Sequence, residues 1–328
     1  MKFDIYNPYS NVSVTDFYVT TIEEALKKCG FKTERKSKLV KTKNNEAIVI
    51  VHSKDYIKAK LCGYKKVILW VQGIAPEESY MRNHSALRKF VLSLKEMPGI
   101  FFSDMILMVS KSMKKHYERK YKAKFVDRVF FMPCFNSELD KACFRNEGKY
   151  EKNIFTYTGG ITAWQCFEET VKMYSEIEKK LTDCFFKVYT PDSEKAVEIL
   201  DKYNVKSYSI NYVSVKELDE ELKGVKYGFV LREENPVNFV ATPTKLSTYM
   251  SNGVIPIFSR ALDDFSEASK GMKYVVGLNG FGAEEFFEQN RDISVDEIEK
   301  EYVEFFDTYY NKERYIKDMA AYIKEHLK

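Results

Sequence analysis

The sequence predicts an α/β protein of the doubly wound kind, and three features carry that expectation. Short apolar runs such as AIVIV at 47–51 suit parallel strands buried on both faces, and they alternate with longer helical stretches. Each run ends in a polar loop before the next helix begins, which is the order of a βαβ unit. The segment 227–259, YGFVLREENPVNFVATPTKLSTYMSNGVIPIFS, contains a whole unit with its punctuation. It has an apolar opening, a polar break from Arg232 to Pro236, Thr242 as N-cap with Pro243 at the first helical position, and Gly253 as the left-handed stop.

In chain order, 3–6 reads as the first strand, 7–15 as a polar loop and 16–29 as a helix stopped by Gly30. The loop lacks the GxGxxG pattern of dinucleotide binders. A basic excursion at 32–43 leads to the strand 47–51, with His52 directly after it. The strand 67–71 is followed by Gln72, Gly73 and the pair Glu77 and Glu78 ahead of a helix at 80–94. A strand at 105–109 and a basic helix at 111–121, with Met113, Tyr117 and Tyr121 four residues apart, precede a strand at 128–132. This first domain, 1–135, gives way to a linker at 136–152, which the stretch PCFNSELD (133–140) begins.

The second domain, 153–295, opens with a strand at 153–157, the turn Thr158-Gly159-Gly160 and a helix at 162–180. Adjacent glycines let backbone approach a ligand closely. Strands at 185–189 and 207–211 alternate with helices at 193–203 and 215–222, and Tyr212 and Val213 follow the second of them. After the segment 227–259 come a strand at 273–276 and a long acidic, aromatic helix that fills 296–328 and can cross back to the first domain.

With 328 residues, 45% of them hydrophobic and 15% aromatic, the chain can fill two cores and is not a disordered protein. Its net charge of +4 hides a division: residues 1–150 hold 29 Lys and Arg against 16 Asp and Glu, or +13, and the remainder 23 against 32, or −9. A basic half suits anionic lipid or polyanionic substrates, and no nucleic-acid motif accompanies it. Six cysteines without CxxC spacing and an N-terminus without a signal core point to a reducing cytoplasm. No apolar run approaches the length of a membrane span, so membrane contact is expected to be peripheral, through the helix at 111–121 on the inner face.

In an open parallel sheet, ligands bind beyond the carboxyl ends of the strands, where helix N-termini attract anions. Arg232 leaves a strand end and Lys245 lies in a first helical turn, so the two cations and the hydroxyls of Thr242 and Thr244 can meet one phosphate group. A lysine there opposes the helix dipole by about 0.3–1 kcal/mol, which an anionic ligand would offset; a solvated Arg and Lys on an ordinary βαβ unit is the plainer alternative. His52 is either an acid, base or hydrogen-bond donor in a crevice, or a strand-end histidine bonded to backbone. Glu77 and Glu78 are either a catalytic base or acids favouring a helix start. His116 reads as an exposed helix residue.

The order of elements, the linker FMPCFNSELD, the turn YVSVKELDEEL and above all PTKLSTYMSNGVIPIFS resemble the GT-B glycosyltransferases, in particular the family 4 (group 1) enzymes of bacterial polysaccharide synthesis. The likeness covers most of the chain, with its specific part in about 35 residues. It implies two Rossmann-like domains facing across a cleft, a nucleotide-sugar on the C-terminal one, a glycan or lipid-linked acceptor on the other, a retaining outcome, and no cofactor or obligatory metal, with a UDP-sugar as the expected donor. By the resemblance Lys245 and Arg232 hold the donor pyrophosphate, Gly159 and Gly160 line the cleft, and Tyr212 and Val213 meet the base. His52, Glu77 and Glu78 are candidates to activate the acceptor. Val240 and Thr248 stand where the family carries a pair of glutamates, so the ribose must be recognised differently. The family's basic pair is absent from TYTGGITAW, and Arg232 is placed to substitute for it. Two rival readings are a nucleotide-sugar epimerase and a catalytically silent nucleotide-binding partner of a transferase.

Overall fold

Among the described residues every strand pair is parallel, as apolar runs joined by crossover helices require. The computed structural model describes residues 2–8, 13–42, 47–125, 128–290 and 292–327. The expected first loop falls partly, at 9–12, outside the described residues. The chain divides into two units, one of Met1–Asn136, Phe239–Thr242 and Asn311–Lys328, the other of Ser137–Asn238 and Pro243–Tyr310.

The first unit runs β1 (Lys2–Tyr6), α1 (Ser13–Lys28), β2 (Lys32–Lys36), β3 (Ala47–Ile50), α2 (Tyr56–Leu61), β4 (Lys66–Val71), α3 (Ala75–Asn83), α4 (Ala86–Phe102), β5 (Met105–Met108), α5 (Lys111–Tyr121) and β6 (Val129–Phe131). Its sheet order is β2-β1-β3-β4-β5-β6, so the winding reverses between β1 and β3. The strand β2, KTERK, lies in the stretch read from the sequence only as a basic excursion. It lies at the sheet edge with β1 as its partner, where charged side chains stay solvated and the apolar signature of a strand is not needed.

Three expectations are corrected here. The helix expected at 80–94 is two helices: His84 turns left-handed (φ 50°) and Ser85 caps α4, its hydroxyl accepting from the Arg88 N–H at 3.2 Å, so that Glu77 and Glu78 lie inside the first turn of α3. The apolar stripe of α5 is core, with Met113 and Tyr117 buried, and is not a membrane face. His116 is likewise half-buried, with Nε2 3.7 Å from a Glu77 carboxylate oxygen.

The second unit runs β7 (Asn153–Thr158), α6 (Phe167–Lys180), β8 (Cys184–Tyr189), α7 (Ser193–Lys202), β9 (Tyr208–Asn211), α8 (Val215–Leu222), β10 (Tyr227–Val230), α9 (Pro236–Phe239), α10 (Thr244–Ser251), β11 (Ile255–Ser259), α11 (Asp263–Ala268), β12 (Val276–Leu278), α12 (Ala283–Gln289) and α13 (Val295–Thr308). The order β12-β11-β10-β7-β8-β9 places the reversal between β7 and β10. The last strand lies slightly beyond the expected 273–276. Phe155 stacks on Tyr227 and Phe229 with centroids 5.0 and 5.7 Å apart, filling the core beneath that reversal.

The long terminal helix is also two. Residues Tyr309 to Asn311 separate α13 from α14 (Lys312–His326), whose N-terminus Asn311 caps through its Oδ1, accepting from the Arg314 N–H at 2.8 Å. Within the first unit α14 packs along α1, where Lys312 meets Glu24 at 3.1 Å and the Cys29 thiol donates to the Ala320 carbonyl at 3.2 Å.

Between β6 and β7, buried Lys149 donates to the carbonyls of Asn252, Lys223 and Leu222 at 2.6, 3.1 and 3.3 Å. The last residue of α8, the one that follows it and the end of α10 are thereby tied to one ammonium, as helix C-termini favour. Burial holds its pKa down at about 8. Lys149→Ala is expected to strand three carbonyls and leave a void, costing about 2–3 kcal/mol in a urea unfolding titration.

Candidate functional site

The reversal between β7 and β10 is where the second unit gathers its cations. After β10 the chain turns at Arg232, whose backbone N–H donates to the Ser259 hydroxyl at the end of β11 (2.8 Å). The buried guanidinium reaches back across β7: Nη1 donates to the Leu231 and Gln165 carbonyls at 2.7 and 3.3 Å, and Nη2 to Gln165 Oε1 at 3.0 Å. From the first turn of α10, Lys245 Nζ donates to the same Oε1 at 2.6 Å. Both cations are donors only, so the amide must present its oxygen to them, and one neutral atom holds the two side chains together.

Among the described residues neither cation forms an ion pair. The groups acting on Arg232 are the phenols of Tyr157 and Tyr249 and the Cys166 thiol, and the charge acting on Lys245 is Arg232 itself. Burial, and then Arg232, lower the Lys245 pKa well below the usual range of a lysine. Burial lowers that of Arg232 as well, although a guanidinium remains charged at any ordinary pH. The Lys245 ammonium also lies 4.4 Å from the centre of the Tyr157 ring, a favourable face for a cation.

Gly159 lies against the Lys245 side chain. Its φ of +113° excludes ordinary side chains, and a Cβ there would sit 3.0 Å from Lys245 Nζ. Its N–H is used by the Tyr189 carbonyl at 2.8 Å, whereas Gly160 is held by Tyr157, whose hydroxyl donates to the Gly160 carbonyl at 2.7 Å. Asp192, at the start of α7, accepts from the Ile161 N–H at 2.8 Å and fixes the turn. Beneath it, the Tyr249 hydroxyl of α10 accepts from the Thr158 N–H at 3.1 Å, which ties α10 to the end of β7.

Of the other residues singled out in the sequence, Thr244 begins α10, Thr248 is buried within it, and Tyr212 and Val213 follow β9, Tyr212 being strongly exposed. Thr242 requires correction. Pro243 is the N-cap of α10, and the Thr242 hydroxyl accepts from the Cys134 N–H at 2.9 Å within the first unit, so it does not cap this helix. Sequence reasoning missed Gln165 because it placed 162–180 in one helix. A short 3₁₀ turn, Ala163–Gln165, and the left-handed Cys166 (φ 49°) come first and aim the amide at the cations.

In the first unit, His52, Glu78 and Gln72 line a cavity of roughly 420 Å³ beyond β3 and β4, together with Trp70, Arg82 and Glu96. Burial, with Lys54 beside it, lowers the His52 pKa, so the ring is neutral at pH 7. Burial raises that of Glu78. Glu77 is not a proton acceptor of this kind, which corrects its candidacy. Burial raises its pKa, but His116 and Lys120 outweigh burial and bring it to about 2. Lys120 bridges Glu77 (3.1 Å) and buried Glu96 (2.6 Å), tying α3 and α4 to α5. Among the described residues no three His, Cys, Asp or Glu side chains converge to hold a metal.

No protein-family model matches the chain, and no curated protein sequence is similar to it. Its fold is nevertheless shared with solved structures. It is similar to the sucrose-phosphate synthase of Thermosynechococcus elongatus, at 12% identity and a TM-score of 0.71 over 99% of this chain and 98% of that one. It is similar to the apo lipopolysaccharide outer core galactosyltransferase WaaB, at 13% identity and a TM-score of 0.66 over 99% of each chain. A third likeness is to a mutant of S. aureus TarM solved with fondaparinux, α-GlcNAc-glycerol and UDP, at 10% identity and a TM-score of 0.63 over 84% of this chain. The chain spans 55% of the TarM chain. What these likenesses define is a class of fold: two Rossmann-like units, each with a six-stranded parallel sheet, in the GT-B architecture of glycosyltransferases.

Proposed function

We propose that the protein is a glycosyltransferase that moves a sugar from a nucleoside-diphosphate sugar to a glycan or lipid-linked acceptor in bacterial polysaccharide synthesis. The observation that carries this reading is the meeting of Arg232 and Lys245 on Gln165 Oε1, with no carboxylate partner among the described residues, at the reversal of a parallel sheet. Two desolvated cations beside a helix N-terminus form a site for a doubly charged anion. A diphosphate would give each a charge-assisted partner, worth about 1.5–3 kcal/mol apiece.

In the transfer, the acceptor hydroxyl oxygen bonds to the anomeric carbon as the bond from that carbon to the diphosphate breaks, and the hydroxyl proton passes to a base. The charge that grows on the leaving diphosphate is the main electrostatic task, and Arg232 and Lys245 meet it without a metal. Neutral His52 and Glu78 are the candidate bases of the first unit, and exposed Tyr212 with Val213 is the surface for the nucleotide base. UDP bound to TarM supports uracil as that base. The resemblance to family 4 supports a retaining outcome and a location on the cytoplasmic side of the membrane.

The test is incubation of UDP-, GDP-, ADP- and CMP-sugars with a bacterial lipid extract and with oligosaccharides. Transfer appears as sugar in the acceptor with stoichiometric nucleotide release, and the anomer of the product reports the stereochemistry. A changed sugar still attached to its nucleotide would establish an epimerase instead. Donor binding with no turnover until a second protein is added would establish a silent subunit.

A pH dependence follows from Lys245. Its pKa is lowered in the free protein, and an adjoining diphosphate would raise it, so binding takes up a proton between the two values. Affinity is therefore full below the free-protein pKa and falls by up to about tenfold per pH unit as pH rises from that value towards the bound one. Calorimetry of UDP binding in two buffers of different ionisation enthalpy is expected to show this uptake, and to lose it in Lys245→Met.

A further inference from the structure

We infer that Gln165 is a positioning residue whose amide oxygen holds the place of a phosphate oxygen in the empty protein and yields it when the donor binds. The inference rests on the diphosphate site proposed above and states how that site is kept ready. Lys245 Nζ approaches from α10 and Arg232 Nη2 from the end of β10, and their donors meet at one atom, Gln165 Oε1, 2.6 and 3.0 Å away. A ligand oxygen that accepts from both cations has to sit where that atom sits. The other directions are taken. Lys245 Nζ has the Tyr157 ring centre 4.4 Å away and lies so close to Gly159 that a Cβ there would come within 3.0 Å, while Nη1 of Arg232 donates to the Leu231 carbonyl at 2.7 Å.

The chemistry of the exchange favours the ligand. Like charges in a desolvated site repel, and a shared acceptor is what keeps Lys245 and Arg232 converged. A neutral amide does this weakly, whereas a phosphate oxygen offers a full charge to each cation in shorter, stronger bonds. A carboxylate in the same place would pair with both cations and close the site. The chain around Gln165 also suits a group that leaves. Its 3₁₀ turn, Ala163–Gln165, lies between two fixed points, the Ile161 N–H held by Asp192 at 2.8 Å and buried Phe167 at the start of α6. Thr162 and Ala163 between them are exposed, and Cys166 has a φ of 49°, where a residue other than glycine is strained. The Gln165 carbonyl accepts from Arg232 Nη1 at 3.3 Å, a contact that keeps the turn docked when the side chain swings out.

Calorimetric titration of UDP and UMP into the full chain tests this, with the melting temperature read on the same protein. The two variants are Gln165→Ala, which removes the placeholder, and Gln165→Glu, which keeps its shape and adds a charge. Gln165→Ala is expected to bind UDP about fivefold more tightly than wild type, since no amide has to be displaced, with UMP affinity unchanged and the melting temperature lower. Gln165→Glu is expected to melt higher and to lose about tenfold or more in UDP affinity, down to that of UMP. A residue that merely props the turn would move the melting temperature without raising UDP affinity in one variant and lowering it in the other. Unchanged or weaker UDP binding by Gln165→Ala, or wild-type UDP affinity in Gln165→Glu, would overturn the inference while leaving the diphosphate site in place. Equal affinity for UDP and UMP in wild type and Gln165→Ala alike would overturn the diphosphate site, and this inference with it.

Discussion

Lys245→Ala is expected to lower kcat by about 100-fold, and Arg232→Ala by at least as much, each with the fold intact. The two ammonium and guanidinium groups converge on one amide oxygen, so a diphosphate entering the pocket would replace a neutral acceptor with a charged one as the leaving group develops its charge. Interactions that strengthen in this way act on kcat, and losing one of about 3 kcal/mol slows turnover roughly a hundredfold. Arg232→Lys should not rescue: it cannot keep both the Leu231 carbonyl and Gln165 in reach of one planar fork. Stability should move the other way. Lys245 is desolvated beside a like charge, so its removal is expected to leave the melting temperature unchanged or higher, as when a site built for a ligand is strained without it. A melting temperature that drops along with activity would make Lys245 a structural residue.

Gly228→Ala is expected to damage fold and site together. A Cβ at this position of β10 would lie 2.5 Å from Cδ2 and Cε2 of Tyr249, whose ring is fully buried. The ring cannot retreat cheaply, because its hydroxyl accepts from the Thr158 N–H and also contacts the Thr158 hydroxyl, both at 3.1 Å. Overpacking of this kind costs about 2–3 kcal/mol. The strain runs along α10 to Lys245 and along β7 to Gly159, so UDP affinity is expected to fall with stability. Chemical denaturation and UDP titration of the same preparation check both halves. Wild-type affinity in a destabilised Gly228→Ala protein would uncouple Tyr249 from the site.

The parallel strands were legible because buried runs such as AIVIV and the apolar opening of 227–259 can be little else, and the meeting of Arg232 and Lys245 followed from their places at a strand end and a helix start. What escaped had local signals that misled. KTERK is a strand by virtue of its neighbour β1, not of its own side chains. The break at His84 depends on a non-glycine left-handed residue, and so does the turn at Cys166 that delivers Gln165. Thr242 has the right type for an N-cap but is engaged by the Cys134 N–H. Glu77 and Glu78 look equivalent as neighbours in sequence, and only packing separates the one clamped by Lys120 from the one that faces the cavity.

The most direct measurement is calorimetric titration of UDP and UMP into wild type, Arg232→Ala and Lys245→Ala. If the two cations form a diphosphate site, UDP binds wild type at least tenfold more tightly than UMP, and either substitution removes that preference. Equal affinity for UDP and UMP in wild type, or a UDP preference that survives both substitutions, would contradict it.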